Sequence, residues 1–137
     1  MALTNTSAPF DPYVFVRGDA NSKGPDVPRQ FLAVLSEEDR SPYPGHGRLE
    51  LALAIPNRDN PLTARVFVNR VWMHLFGKGL VGTPSDFGLV GDLPTHPELL
   101  DYLAWRFMED GWSTKRLIRH ILLTHTYQQA SDEHAAG

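Results

Sequence analysis

The sequence predicts a mainly α fold: a compact bundle of about four helices, with a short extended N-terminal segment and a long Gly/Pro loop. Three observations carry this reading. Residues 60–79, NPLTARVFVNRVWMHLFGKG, open on Asn60 and Pro61 and close on Phe76-Gly77, which are helix start and stop signals. Further on, residues 97–109 and 113–125 repeat apolar side chains at helical spacing. Between them, residues 77–97 hold five glycines and three prolines, too many for regular structure.

Taken in order, residues 1–12 are small and polar, with two prolines, and are expected to be a disordered N-terminus. Tyr13–Val16, YVFV, is a short β-type run closed by Arg17-Gly18. Residues 19–30 are rich in Gly, Pro and Asp and read as a loop. Phe31–Leu35, FLAVL, is a second apolar run, open to pairing with the first or to packing as an extended segment. Neither run sustains a sheet alone, so both are expected to lean on the helical body. Residues 36–47 carry a charged patch and then SPYPGHG, a surface loop.

From Arg48 the chain turns helical, through Leu49, Leu51, Ala52 and Leu53, and Pro56 ends that helix because the residue before a proline avoids αR. The helix opening at Pro61 follows, apolar almost all round and therefore expected in the middle of the fold. The Gly/Pro loop embeds an apolar cluster of Leu80, Val81, Phe87 and Leu89. Thr95 and Glu98 fit a capping box, and the helix it opens places Leu99, Leu100, Leu103, Ala104, Phe107 and Met108 on one face. Gly111 ends that helix; Ser113 caps the last one, with Leu117, Ile118, Ile121 and Leu122 inward. The domain organisation expected is thus a single helical domain over residues 13–131, truncated, with a tail at 132–137.

Composition excludes several classes. The formal charge of −3 divides into −2 over residues 1–60 and −1 over 61–137, so there is no overall basic field and no nucleic-acid partner is expected. No cysteine is present, which removes disulfides, thiolate catalysis, Cys-based zinc sites and c-type haem attachment within this chain. No run approaches the roughly 18 apolar residues of a membrane span, and the first residues show no signal peptide. There is no G-x-S-x-G elbow, Walker loop or dinucleotide fingerprint, and Gly77, Gly79 and Gly82 follow a helix instead of leading into one.

The chemistry-bearing residues concentrate in the helix that opens at Pro61. At 100° per residue, Thr63, Arg70 and His74 share one stripe, and Arg65 and Asn69 share another beside Trp72 and Phe76. One reading is a binding site in which Arg supplies a planar fork and Asn an amide, with Arg70, His74, His96 and Asp86 as its members. The other is structural: irregular backbone packed on a core needs partners, so Arg65 and Asn69 act as tethers for the Gly/Pro loop. The six histidines include no H-x-x-x-H pair, so no metal site and no cofactor is expected. His125 falls on the apolar face of its helix and reads as a core histidine.

Helices 97–109 and 113–125 have helix-turn-helix spacing, with Lys115, Arg116 and Arg119 outward, but an ordinary αα-hairpin is the expected form. Tyr102 and Trp105 lie on the charged face of their helix, where paired aromatics mark an interface.

The stretch GRLELALAIPNRDNPLTARVFVNRVWMHLFGKGLVGTPSDFG, followed by PTHPELLDYLAWRFMEDGWSTKRLIRHILLTHTYQQAS, resembles the planctomycete-type domain of unknown function numbered 1553. The resemblance covers roughly residues 13–131, and includes YVFVRGD. It implies the C-terminal domain of a large exported protein, often bearing a cytochrome-c-like segment upstream, of which this chain is a fragment. It assigns no catalytic residues. The function expected is therefore a non-catalytic association or structural module. Its partners would be the remaining domains of the parent protein or an exported or cell-surface molecule. The alternative is a hydrolase-like catalytic domain using Arg70, His74, His96 and Asp86.

Overall fold

In the computed structural model, residues 8–35 and 42–129 are described. The expected disordered start lies mostly outside these residues, as do the charged patch at 36–41 and the tail at 132–137. The chain forms two compact units, one ending at Asn60 and the other beginning at Pro61.

The first unit contains a two-stranded antiparallel hairpin of β1 (Tyr13–Phe15) and β2 (Lys23–Asp26), with Tyr13 opposite Asp26 and Phe15 opposite Lys23. The ammonium of Lys23 lies 4.8 Å from the centroid of the Tyr13 ring. A 3₁₀ turn at Val16–Gly18 reverses the chain, with Arg17 at φ 52° and Gly18 at φ 79°. The partner of the first strand is thus not the apolar run Phe31–Leu35, whose last three residues form a 3₁₀ turn. Backbone groups make a ladder, and the nearer segment closes the shorter loop, so KGPD, within the stretch read as a loop, forms the second strand. Arg29 braces this unit, donating to Asp11 at 3.3 Å, to the Gly45 carbonyl at 3.2 Å and to the Phe10 carbonyl. Helix α1 (Arg48–Ala54) ends ahead of Pro56 as expected, but not for the expected reason. Ile55, the residue before the proline, keeps αR geometry (φ −59°, ψ −53°) and donates to the Leu51 carbonyl. The helix stops because Pro56 has no N–H to continue the ladder. The Asn60 amide then donates to the Ile55 carbonyl at 2.9 Å, tying down the turn that leads to Pro61.

The second unit holds α2 (Pro61–Phe76), α3 (Pro97–Glu109), α4 (Thr114–Leu122) and a single turn, α5 (His125–Gln128). Together with the small sheet this is the mainly α fold the sequence predicts. The core is built from Ala64 and Val68 of α2, Leu80 and Val81 of the loop, Leu100, Leu103, Ala104 and Phe107 of α3, and Leu117 and Ile121 of α4. Phe107 is its hub: its ring stacks on Phe67 at 4.9 Å and meets Trp112 edge-on at 5.3 Å.

Helix α2 is not enclosed on all sides. Only Ala64, Val68 and Asn69 are buried, and Phe67, Arg70 and His74 are exposed. Its apolar residues are numerous, but two helices and one loop cover a single face.

The end of α3 follows its sequence signal closely. Gly111, at φ 70°, donates to the Met108 carbonyl at 3.0 Å, and Trp112 N–H donates to the Phe107 carbonyl at 2.9 Å. This is the Schellman pattern, completed by the Trp112–Phe107 ring contact. The start of α3 departs from expectation. His96 occupies the N-cap without a side-chain cap bond, and Pro97 takes the first helical position. Proline fixes the first helical position and disfavours αR at the residue before it, so the N-cap falls on His96 and Thr95 stands one residue outside the helix, available for another role. Ser113 caps α4 as expected, accepting from Arg116 N–H. That helix stops at Leu122 because Thr124 adopts an extended conformation (φ −75°, ψ 149°) and caps α5. His125 therefore opens a new turn and is exposed, not a core histidine.

Candidate functional site

The Gly/Pro loop and the face of α2 beneath it form one hydrogen-bonded assembly. Asn69, with no exposed surface, donates from Nδ2 to the Val81 carbonyl at 3.1 Å. Its Oδ1 accepts from Val81 N–H at 2.9 Å. The amide thus matches both backbone groups of one loop residue, as a neighbouring strand would. The approach requires glycine at 79. A Cβ there would lie 2.6 Å from the Val81 carbonyl oxygen and within 2.9 Å of both Asn69 amide atoms.

The far end of the loop returns to the same place. Thr95 donates from its backbone N–H at 2.8 Å and from its hydroxyl at 3.2 Å, both to the Leu80 carbonyl. Leu80 and Val81 are buried by these clamps, and Phe87 packs at the edge of the core. Leu89 does not join the embedded cluster: it is fully exposed, along with Val90 and Leu93. The reason is local. Thr83, Asp86 and Gly88 bond among themselves into a turn that carries the following residues outward.

The remaining candidates occupy different settings. Arg65 Nε donates to Asp101 of α3 at 2.6 Å and Nη1 donates to the Pro61 carbonyl at 3.5 Å, so its bonds run to α3 and to its own helix. Arg70 and His74 stand one turn apart on the exposed side of α2. The Asp86 carboxylate accepts from Gly88 N–H at 2.8 Å, and His96 Nδ1 lies 3.0 Å from the Thr95 hydroxyl. Among the described residues, no hydrogen bond or ion pair joins any two of Arg70, His74, His96 and Asp86. Nor do the described residues include a group of three His, Asp or Glu suited to a metal ion.

Tyr102 and Trp105 are 46% and 51% exposed, with ring centroids 6.2 Å apart. Tyr102 also reaches His120 of α4, at 6.0 Å between rings. Beside them, between α3 and α4, lies a cleft of about 340 Å³ lined by Arg106, Asp110, Arg116, Arg119, His120 and Leu123. Sequence reasoning noted Arg116 and Arg119 only as the outer face of a helix. Arg106 and His120 join them through the turn at Gly111, which brings two helices side by side. A basic residue at the end of one helix and three more on the next was the available signal.

No helix among the described residues is long and apolar enough to cross a membrane. Residues 47–137 match the family model described as PSD1, protein of unknown function (DUF1553). Comparison with curated proteins and with solved structures returns no match.

Proposed function

The chain belongs to the DUF1553 family of proteins of unknown function, and on that premise we propose that it serves as a non-catalytic association module. Its setting in this reading is an exported, planctomycete-type multidomain protein that carries a haem-bearing region elsewhere. The observation that carries the proposal is the exposed pair Tyr102 and Trp105 on α3. Large amphipathic rings are costly to leave in water and dominate the energetics of interfaces when covered. Their helix is already anchored on its opposite side by Leu100, Leu103, Ala104 and Phe107, so the aromatic face is rigidly presented. The covering partner is the remainder of the parent protein.

Hydroxyl-radical footprinting of the full-length parent tests this directly. Trp72 and Trp112, both partly buried against the core, are internal references. Oxidation of Trp105 as slow as theirs supports a covered interface, whereas oxidation several times faster overturns it. The competing reading, a hydrolase-like domain using Arg70, His74, His96 and Asp86, draws on the open placement of Arg70 and His74 one turn apart. A hydrolytic activity lost in His74→Ala at unchanged stability would replace the module reading.

A further inference from the structure

The cleft between α3 and α4 gathers cationic groups in a chain whose formal charge is −3. Three guanidiniums and one imidazole line it against a single carboxylate, Asp110. That carboxylate is engaged by Arg106, whose Nε lies 3.2 Å from its Oδ2. Arg116 and Arg119 are exposed, and neither forms an ion pair among the described residues. They lie three residues apart on α4, so both side chains emerge on the same side of the helix.

Helix stability accounts for Arg106, Arg119 and His120, which stand in the last turns of α3 and α4 where cations are favoured, but not for Arg116. The first turn of a helix favours acids, because unpaired N–H groups make that end positive. In α4 that turn contains no acid and instead carries Lys115 and Arg116. Arg116 thus sits at the end of the helix where a cation is least favoured, and Arg119, three residues on, presents a like charge on the same face. Both penalties are relieved by an anion in the cleft. A guanidinium offers only donors, in a planar fork that fits two oxygens of one group.

We propose that this cleft is an oxyanion-binding site, taking a compact phosphate, sulfate or carboxylate group between Arg116 and Arg119. Arg106, held by Asp110, forms the opposite wall, and His120, steadied against the Tyr102 ring, closes one side. The assignment is independent of whether Tyr102 and Trp105 are covered by a partner.

The test is a titration of the ¹⁵N-labelled chain with sodium phosphate, sodium sulfate and sodium malonate in separate arms. Ionic strength is held constant by exchange against sodium chloride. Saturable shifts confined to Arg106, Asp110, Arg116, Arg119 and His120 are expected in at least one arm, and the arm with the lowest half-saturation names the ligand class. Arg116→Ala and Arg119→Ala should each raise the half-saturation concentration roughly fivefold or more, by loss of a charge-assisted fork. Lys115→Ala, outside the cleft lining, should leave it unchanged. The unaffected remainder of each spectrum reports that the variant is folded. Linear, unsaturated shifts in all three arms overturn the proposal, and so does equal weakening by Lys115→Ala, which marks a diffuse field.

Discussion

Replacing Asn69 with alanine should be among the more damaging single substitutions in this protein, although it removes only a small polar side chain. The side chain is fully buried and satisfies two backbone groups of Val81, itself 2% exposed. Alanine leaves the Val81 N–H and carbonyl without these partners, at a cost of about 1–3 kcal/mol for each buried group left unpaired. Partial entry of water reduces the sum, so a loss of about 2–5 kcal/mol is expected. That is a large share of the roughly 5–15 kcal/mol available to a domain. In urea, with a slope of about 1–3 kcal/mol/M for a small protein, a loss of 3 kcal/mol moves the midpoint down by roughly 1–3 M.

Asn69→Asp sharpens the test, since it preserves size but exchanges the donor for a second acceptor facing the Val81 carbonyl. It should cost at least as much as alanine near neutral pH. Gly79→Ala forces a Cβ against the Val81 carbonyl and the Asn69 amide, disturbing the same bonds. Combined with Asn69→Ala it should therefore be clearly less than additive. Equilibrium urea unfolding of the parent, the three single variants and the double variant measures every term. A cost below about 1 kcal/mol for Asn69→Ala, or full additivity with Gly79→Ala, would refute the clamp.

Three other expectations follow from local geometry. Gly77 and Gly111 have φ of 81° and 70° with nothing within 4 Å of an added Cβ, so alanine at either should cost only backbone strain, about 1–2 kcal/mol by thermal unfolding. Arg65 and Asp101 pair at 2.6 Å but are 37% and 51% exposed, so a double-mutant cycle should return about 0.2–1 kcal/mol. Repeating that cycle in 1 M sodium chloride should shrink the coupling, since the pair is exposed to screening. Arg70→Ala and His74→Ala, on the open face of α2, should each change stability by less than about 0.5 kcal/mol in chemical denaturation. A loss of 1–3 kcal/mol, as for a loop tether, would contradict their exposed setting.

Much of the helical plan is written in local chemistry. Pro61 and Gly77 bound α2, Ser113 caps α4, Gly111 shapes the end of α3, and the apolar spacing of α3 names its buried face. Each depends on contacts within a few residues, so the sequence determined them by itself. The family motif is legible for the same reason, as a long run of side chains with fixed spacing.

Where local signals competed, the tertiary structure decided. Thr95 resembles a capping residue, yet its hydroxyl and N–H serve the Leu80 carbonyl, fifteen positions back, because Pro97 opens the helix and leaves the N-cap to His96. Leu89 reads as part of an apolar cluster, but the turn built by Thr83, Asp86 and Gly88 turns it to solvent. Asn69 stood out in the sequence as a costly polar residue on an apolar helix, whereas its partner, Val81, is set by how the loop returns across the helix. The cationic cleft depends likewise on α3 and α4 lying side by side. Sequence determines which groups need a partner; only the fold, by closing distant segments onto one another, determines which partner satisfies each.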